Sequence, residues 1–234
     1  MHVPDGFFDA TTSIGTGAVA AGTVGVGLRK AAHDLNDRLT PLAGLVAAFV
    51  FALQMLNFPV ASGTSGHLFG GALAAVLVGP WAGMVCVSIV LFVQALLFAD
   101  GGMSALGLNV VLIAIVPAIV GYGVFLLLRS VLPKTRSSVV TASGIGAFVS
   151  VPVAAVAFSV LFAAGGAVDL SFGSVLAAMV GTHVLIGVGE GLITAAVVSA
   201  VVASRPDLVH GAHHLATGLA PNIATEPITS GAAS

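Results

Sequence analysis

The first two residues of the chain, Met1 and His2, carry the nitrogen donors of a compact metal chelator. The amine of a free first residue and the backbone nitrogen of His2 close one ring on a metal ion, and that backbone nitrogen and the His2 imidazole close another. A further imidazole, such as that of His67, would fill the position that stays open. Four nitrogen donors in a plane suit nickel, copper and cobalt better than calcium or magnesium. The alternative is that His2 is simply the second residue of a frayed terminus.

His67 follows a stretch rich in small and hydroxyl residues, NFPVASGTSGHLFGG, at positions 57–71. We expect positions 63–66 to form a turn at one face of a membrane and His67 to begin the next helix. Thr64 and Ser65 would then cap the amino terminus of that helix. His67 would point toward the mouth where the first residues also lie. The alternative is a histidine at a helix start that only hydrogen bonds a carbonyl group.

Two further residues are candidates for orienting the ligating imidazoles. Asp100 lies in the loop before the fifth apolar segment, and Asn109 opens that segment. Histidines that bind metals commonly donate their second ring N–H to a carboxylate or a carbonyl group. We therefore predict Asp100 and Asn109 as outer partners of the site. Hydrogen bonding between helices is the alternative for Asn109, as it is for Gln54 and Gln94, because polar side chains in hydrocarbon usually face the bundle interior.

His183 and Glu190 are seven residues apart in the last apolar segment and so fall on one face of a helix. An ionisable residue inside a membrane span is a candidate functional residue. We predict that Glu190, with His183, relays protons released on metal binding, or that Glu190 locks a conformation with Thr182 or Thr194. The alternative is a neutral glutamic acid bonded to its neighbours.

The composition indicates an all-α membrane protein. Charged residues make up 7% of the 234 positions, hydrophobic residues make up 58%, and the mean hydropathy is +1.13. Soluble domains carry roughly 25% charged residues, so this chain has too few to cover a surface in water. The net charge of −2 gives no indication of a nucleic-acid partner. The single cysteine, Cys86, excludes a disulfide within the chain and zinc or iron–sulfur sites built from cysteines.

About seven transmembrane helices are predicted, because about 20 apolar residues cross a bilayer as a helix. The predicted spans are 13–28, 41–57, 67–80, 82–98, 108–128, 138–163 and 173–203. The basic residues fall after the first, fifth and seventh spans; they are Arg29, Lys30, Arg38, Arg129, Lys134, Arg136 and Arg205. Since cytoplasmic loops are enriched in Lys and Arg, we predict the amino terminus outside and the carboxyl terminus in the cytoplasm.

The chain divides into a transmembrane metal-binding domain at 1–204 and a polar tail at 205–234, which we predict to be cytoplasmic and disordered. Three histidines of the tail, His210, His213 and His214, are candidates for weak metal binding or for simple solvation.

No basic segment precedes an apolar core near the start, so we expect no cleaved signal peptide and a retained Met1. A phosphate-binding loop of the G-x-x-x-x-G-K-[ST] type is absent, so any step driven by ATP is expected to come from a partner.

Four separated stretches of the sequence resemble the CbiM/NikM family. They are MHVPDGF at 1–7, NFPVASGTSGHLFGGALA at 57–74, LFADGGMSALGLN at 97–109 and HVLIGVGEGLIT at 183–194. The likeness covers nearly all of 1–209. Members of this family are the substrate-capturing membrane components (S components) of energy-coupling-factor (ECF) uptake systems for cobalt and nickel. The resemblance implies a seven-helix fold whose amino terminus plugs the outer mouth and ligates the metal through the Met1 amine, the His2 amide and imidazole, and the His67 imidazole.

The same resemblance implies a transporter subunit without its own ATPase, not an enzyme, in the plasma membrane of a prokaryote. Co²⁺ or Ni²⁺ would be its substrate, and no cofactor is expected. The implied partners are a transmembrane coupling protein (T component), two cytoplasmic ATPase subunits and, in some systems, a small auxiliary membrane protein. The choice between cobalt and nickel stays open, with cobalt preferred because the similarity to the CbiM branch is the closer one.

Two other functions are compatible with parts of the sequence. The four residues at 63–66, GTSG, match the short G-x-S-G pattern of intramembrane serine proteases, with Ser65 as nucleophile and His183 as base. A secondary transporter coupled to protons would instead use His183 and Glu190 as its relay.

Overall fold

The computed structural model describes residues 1–34, 39–56, 58–59 and 65–212. Within them the chain forms seven helices: α1 (Ala10–Asp34), α2 (Leu39–Gln54), α3 (Gly71–Val78), α4 (Pro80–Leu97), α5 (Leu106–Val131), α6 (Arg136–Gly165) and α7 (Phe172–Ser204). Two strands of two residues each, β1 (Phe58–Pro59) and β2 (Ser65–Gly66), pair antiparallel between α2 and α3. Two short 3₁₀ turns, Pro206–Leu208 and His210–Ala212, follow α7.

The prediction of an all-α membrane bundle is confirmed, and each helix corresponds to one predicted span. In the part of the chain that the structure describes, α4, α5, α6 and α7 are long and apolar enough to cross a membrane. The third predicted span, 67–80, contains only the eight residues of α3. At 1.5 Å per residue α3 measures about 12 Å, far less than the roughly 30 Å of a bilayer core. Helix α3 is therefore a half-helix inside the bundle, and all eight of its residues are buried.

The bundle has two ends of different character. At one end, called here the amino-terminal mouth, residues 1–9 meet the segments 65–70 and 98–105. At the other, called here the opposite end, the link between α3 and α4 meets the turns that follow α7. The predicted metal ligands all belong to the amino-terminal mouth.

The helix after His67 starts four residues later than the sequence pattern predicts. Helix α3 begins at Gly71, and its cap residue is Gly70, with no capping bond from a side chain. The prediction that Thr64 and Ser65 cap a helix beginning at His67 is therefore wrong. Gly70 has a φ of 75°, and a Cβ there would lie 2.7 Å from a methyl carbon of Val50. The chain can turn into α3 this close to α2 only at a glycine.

Helix α5 contains a π-helical segment directly after Asn109. Val110–Ile115 is π-helical, between α-helical Leu106–Asn109 and Val116–Val131. Pro117 has no N–H to continue the α-helical ladder, and the wider π turn precedes it. Such segments are frequent at functional sites, and this one adjoins a residue that contacts the amino-terminal segment.

Helices α6 and α7 pack closely through small residues. A Cβ on Gly144 would lie 3.0 Å from the carbonyl oxygen of Gly191, and one on Gly187 would lie 2.9 Å from that of Phe148. Small residues allow such close approach of membrane helices. The pair supports the face of α7 that carries His183 and Glu190.

The start of the segment predicted as a tail packs onto the bundle. Pro206, Val209 and Ala212 are buried, and the turn at His210–Ala212 contacts α3 and α6. Residues 213–234, with His213 and His214, lie outside the described residues.

Candidate metal centre

The amino-terminal segment is buried in the mouth of the bundle. Met1 and Val3 have no exposed surface, and His2 is 4% exposed. Asn109 holds Val3 by two hydrogen bonds: the Val3 N–H donates to Asn109 Oδ1 at 2.8 Å, and Asn109 Nδ2 donates to the Val3 carbonyl at 3.2 Å. The Gly102 N–H donates to the same carbonyl at 2.8 Å. Asn109 thus pairs with the backbone of residue 3 as a neighbouring strand would, and fixes the two residues before it.

A cluster of aromatic rings anchors the segment a few residues later. Phe7 and Phe8 pack against Phe158 and Phe162 of α6, with ring centroids 5.7–6.2 Å apart. The Ala167 N–H also donates to the Phe7 carbonyl. Aromatic pairs at such distances add to the free energy gained by burying their area. The first nine residues are therefore attached to α5 at one point and to α6 at another.

His2 lies between a carboxylate and the second predicted imidazole. Its Nδ1 is 2.9 Å from Asp100 Oδ1, an ion-pair distance without the alignment of a hydrogen bond. Its ring stacks on that of His67, with centroids 4.2 Å apart and planes inclined by 21°. The structure thus brings together Met1, His2, His67 and Asp100, which are separated by up to 99 positions in the chain.

The imidazole of His67 is held in one tautomer. Its Nδ1 lies 2.7 Å from the Leu68 carbonyl oxygen. Because a carbonyl oxygen can only accept a hydrogen bond, Nδ1 carries the proton and Nε2 presents a lone pair. That Nε2 is buried and has no hydrogen-bond partner in the structure. A histidine with one nitrogen bonded to a carbonyl and the other free is the arrangement found in metal ligands.

The two rings do not point their lone pairs at a common position. A metal ion lies about 2 Å from an imidazole nitrogen, in the plane of the ring. Two rings stacked at 4.2 Å have nearly parallel planes, so one ion cannot lie in both. In addition, His2 Nδ1, the ring nitrogen able to close a small chelate ring with the backbone, faces Asp100. Ligation by both imidazoles would require the His2 ring to rotate about its Cβ–Cγ bond.

Burial also favours the ligating forms of the first two residues. Desolvation lowers the pKa of the Met1 amine well below its ordinary value, although the nearby Asp100 carboxylate opposes this shift. Desolvation likewise lowers the pKa of the His2 imidazole, again opposed by Asp100. Metals bind the neutral amine and the neutral imidazole. Both groups therefore lose their protons at a lower pH than they would in water.

His183 and Glu190 lie deeper, next to the segment that follows His67. His183 is fully buried, its Nδ1 is 2.7 Å from the Met179 carbonyl, and its Nε2 has no hydrogen-bond partner. Its ring lies 5.8 Å from that of Phe69. The Glu190 carboxyl group accepts hydrogen bonds from the N–H groups of Phe69 and Gly70 at 2.8 and 2.6 Å. The hydrogen bonds and ring contacts of these two side chains in the described residues run to Met179, Phe69 and Gly70 rather than to His2.

Gln54 has a role at this site that sequence reasoning did not assign to it. Its Nε2 donates to the Phe69 carbonyl at 2.6 Å, opposite the bonds from Glu190. Its only signal in the sequence is a polar side chain in an apolar helix, which does not identify the partner.

Within residues 1–34, 39–56, 58–59 and 65–212, no group of three or more His, Cys, Asp or Glu side chains is arranged to hold a metal ion. The predicted chelate does not need such a cluster, because two of its four donors are main-chain nitrogens. Ser65, the nucleophile of the alternative protease, has its backbone in β2, and its side chain lies outside the described part of the structure.

The known proteins that this chain is similar to are named for metal transport. The family described as "Cobalt uptake substrate-specific transmembrane region", CbiM, matches residues 2–208. A protein of Haloquadratum walsbyi, provisionally named a metal transport protein, is 41% identical over 209 residues, which are 89% of this chain and 93% of that protein. The fused nickel transport protein NikMN of Rhodobacter capsulatus is 36% identical over 89% of this chain and 64% of its own length.

A solved structure shares the fold. The crystal structure of a truncated transition metal transporter superposes with a TM-score of 0.80 at 30% identity, and covers 87% of this chain and 99% of its own. The match of the family profile to almost the whole transmembrane part shows that the chain belongs to the CbiM family of substrate-specific membrane components for cobalt uptake.

Proposed function

We propose that this chain, a substrate-specific transmembrane component of cobalt or nickel uptake, captures the ion with nitrogen donors at its amino-terminal mouth. The donors are the Met1 amine, the His2 backbone nitrogen and imidazole, and the His67 imidazole. The observation that carries the proposal is the burial of the first three residues against His67, whose Nε2 has no partner. Buried polar atoms without a hydrogen-bond partner are uncommon in proteins. Coordination of a metal ion would account for the one on His67.

The charge of the ion is the main energetic problem of such a site. Burial of an isolated divalent ion in a medium of low dielectric is very unfavourable. A deprotonated His2 amide would offset one positive charge, and the Asp100 carboxylate, 2.9 Å from the His2 ring, would offset much of the other. Peptide nitrogens lose a proton near neutral pH only to strongly polarising metals, which favours nickel and cobalt over magnesium and calcium. Asp100 is therefore proposed as the counter-charge of the bound ion.

Uptake itself is proposed to depend on partner proteins of the energy-coupling-factor type. In this proposal a transmembrane coupling protein and two cytoplasmic ATPase subunits drive release of the metal, with a small auxiliary membrane protein in some systems. The distribution of Lys and Arg supports an orientation with the amino-terminal mouth outside the plasma membrane. The transmembrane domain would comprise 1–204, and the part of the chain from 205 onward would face the cytoplasm.

Neither alternative function is favoured by an observation in the structure. In a proton relay, Glu190 would need a free oxygen facing a donor or water, whereas both of its oxygens accept backbone hydrogen bonds. His183 Nδ1 is engaged with a carbonyl and its ring faces Phe69. Metal capture remains the function that the geometry supports best.

Extension of the chain by one residue ahead of Met1 tests the chelate directly. The added residue converts the amine into an amide and moves the new amine out of position, so binding of Ni²⁺ and Co²⁺ to the purified protein should be abolished in calorimetry. The same residue added after Ser234 is the matched control and should leave binding unchanged. Unaltered affinity in the extended protein would refute the chelate. Elemental analysis of the metal that copurifies would decide between cobalt and nickel.

A further inference from the structure

We propose that Glu190 is a positioning residue for the metal ligand His67 and that it acts through the single peptide group between Leu68 and Phe69. This inference rests on the proposed function, because it assigns His67 to the metal. It adds a connection between the site at the mouth and helix α7, formed by a side chain 123 positions further along the sequence.

One peptide group links the imidazole to the carboxyl group. Its carbonyl oxygen, that of Leu68, accepts the hydrogen bond from His67 Nδ1 at 2.7 Å. Its N–H, that of Phe69, donates to a Glu190 oxygen at 2.8 Å. The order is therefore imidazole, peptide and carboxyl group in one chain of hydrogen bonds. Hydrogen bonds in such chains polarise and strengthen one another, so the Glu190 carboxyl group makes the Leu68 carbonyl a better acceptor for His67.

The expected consequence is a more basic and better oriented Nε2 on His67. Carboxylate groups that hold metal-bound histidines usually do so directly, and they raise ligand basicity and fix the ring. Here the peptide group is interposed, which lets the carboxyl group stay deep in the bundle, away from the metal. Its second oxygen accepts from the N–H of Gly70, the cap residue just before α3, at 2.6 Å.

Gln54 completes the support from the other side. Its Nε2 donates to the Phe69 carbonyl at 2.6 Å, so both polar groups of Phe69 are engaged by side chains of different helices. Gln54, Phe69 and Glu190 are all 3% exposed or less. Irregular backbone within a membrane protein is stable only where its polar groups find such partners. The segment from His67 to Gly70 is thus fixed relative to α2 and α7 by hydrogen bonds within the protein itself.

The substitution Glu190→Gln tests the proposal, because the amide of Gln can accept only one of the two N–H groups. We expect Ni²⁺ affinity to fall by about 10–100-fold, the range typical for loss of an outer partner. We also expect the ligand-field absorption of the bound Ni²⁺ to move toward that of His67→Ala, since the His67 ligand is weakened. Thr194→Val is the matched control: Thr194 is buried on the same face of α7, one turn further on, and this variant should keep the wild-type affinity and spectrum.

The outcomes separate this inference from the proposed function. Loss of affinity in His67→Ala with wild-type affinity and spectrum in Glu190→Gln would overturn the role of Glu190 and leave the metal site intact. Unchanged affinity in His67→Ala would instead overturn the site. If Glu190→Gln does not fold, Gln54→Leu carries the test, because it frees the Phe69 carbonyl from the other side. A smaller shift of the spectrum in the same direction supports the proposal, and a wild-type spectrum contradicts it.

Discussion

The two ends of the bundle differ most in how completely their buried polar atoms are paired. All the buried side-chain atoms without a hydrogen-bond partner in the described residues lie at or just below the amino-terminal mouth; they belong to His2, Gln54, His67, Gln94 and His183. At the opposite end the closing contacts are apolar and aromatic: Val209 and Ala212 are fully buried, and His210 packs against Tyr122 with ring centroids 5.9 Å apart.

This difference indicates that the amino-terminal mouth binds a ligand, whereas the opposite end is closed by packing alone. Native proteins leave few buried polar atoms unpaired, because each costs about 1–3 kcal/mol. Unpaired atoms that concentrate at one end, four of them ring nitrogens of three histidines, indicate that this end has a polar ligand to bind. The opposite end also holds a histidine, His210, but its ring is only half-buried and packs among aromatic and glycine residues. A histidine alone therefore indicates little, whereas buried polar atoms without a hydrogen-bond partner occur only near the amino-terminal mouth among the described residues.

The largest expected effect comes from replacing a histidine at each end. His67→Ala removes a proposed ligand, so Ni²⁺ and Co²⁺ affinity should fall by more than the roughly 10–100-fold seen for outer partners, with loss of metal accumulation in cells. His210→Ala, at the opposite end, should bind both metals like the wild type in the same calorimetric titration. Equal losses in the two variants, or none in either, would show that the pairing state does not identify the functional end.

Much of the fold was predictable because its signals are local. Apolar runs broken by charges and glycines correspond to all seven helices. The boundary of α3 was missed because it is set by contacts distant in sequence: Val50 allows only a glycine at position 70, and Glu190 accepts hydrogen bonds from the N–H groups of Phe69 and Gly70, the two residues just before the helix. Hydroxyl residues before His67 resemble a cap in sequence, but the chain is extended at Ser65.

The candidate site was predictable in its members but not in its connections. Met1, His2, His67 and Asp100 meet as expected from their chemistry and the topology. Asn109 was expected to orient an imidazole and instead pairs with the backbone of Val3. Sequence reasoning could not find this, because a backbone partner leaves no trace in residue type. The same holds for Gln54 and Glu190, whose partners are main-chain groups of Phe69 and Gly70.

A smaller effect is expected from Asn109→Leu, which keeps the approximate size of the side chain and removes both hydrogen bonds to Val3. The Val3 N–H would be left buried without its partner, at about 1–3 kcal/mol, so the amino-terminal segment should detach more readily. We expect metal affinity to fall by about tenfold, which corresponds to about 1.4 kcal/mol. Asn109→Asp, which keeps the acceptor for the Val3 N–H, should lie between Leu and the wild type. A wild-type affinity in Asn109→Leu would show that the segment is held by its other contacts.

The smallest effect on metal binding is expected from Gly79→Ala at the opposite end, where the effect should be on stability alone. Gly79 has a φ of 91° between α3 and α4, and a Cβ there would lie 3.3 Å from the ring of His210. Non-glycine residues in such a conformation cost about 1–3 kcal/mol, so thermal unfolding in detergent should occur at a lower temperature. Gly181→Ala, in α7 with open space around the new methyl group, is the control and should not lower the unfolding temperature.

Because the strain lies far from the unpaired nitrogens, Gly79→Ala that still folds should bind Ni²⁺ with unchanged affinity. A clear loss of affinity in that protein would mean that the two ends are coupled, and that the opposite end takes part in binding as well as in packing.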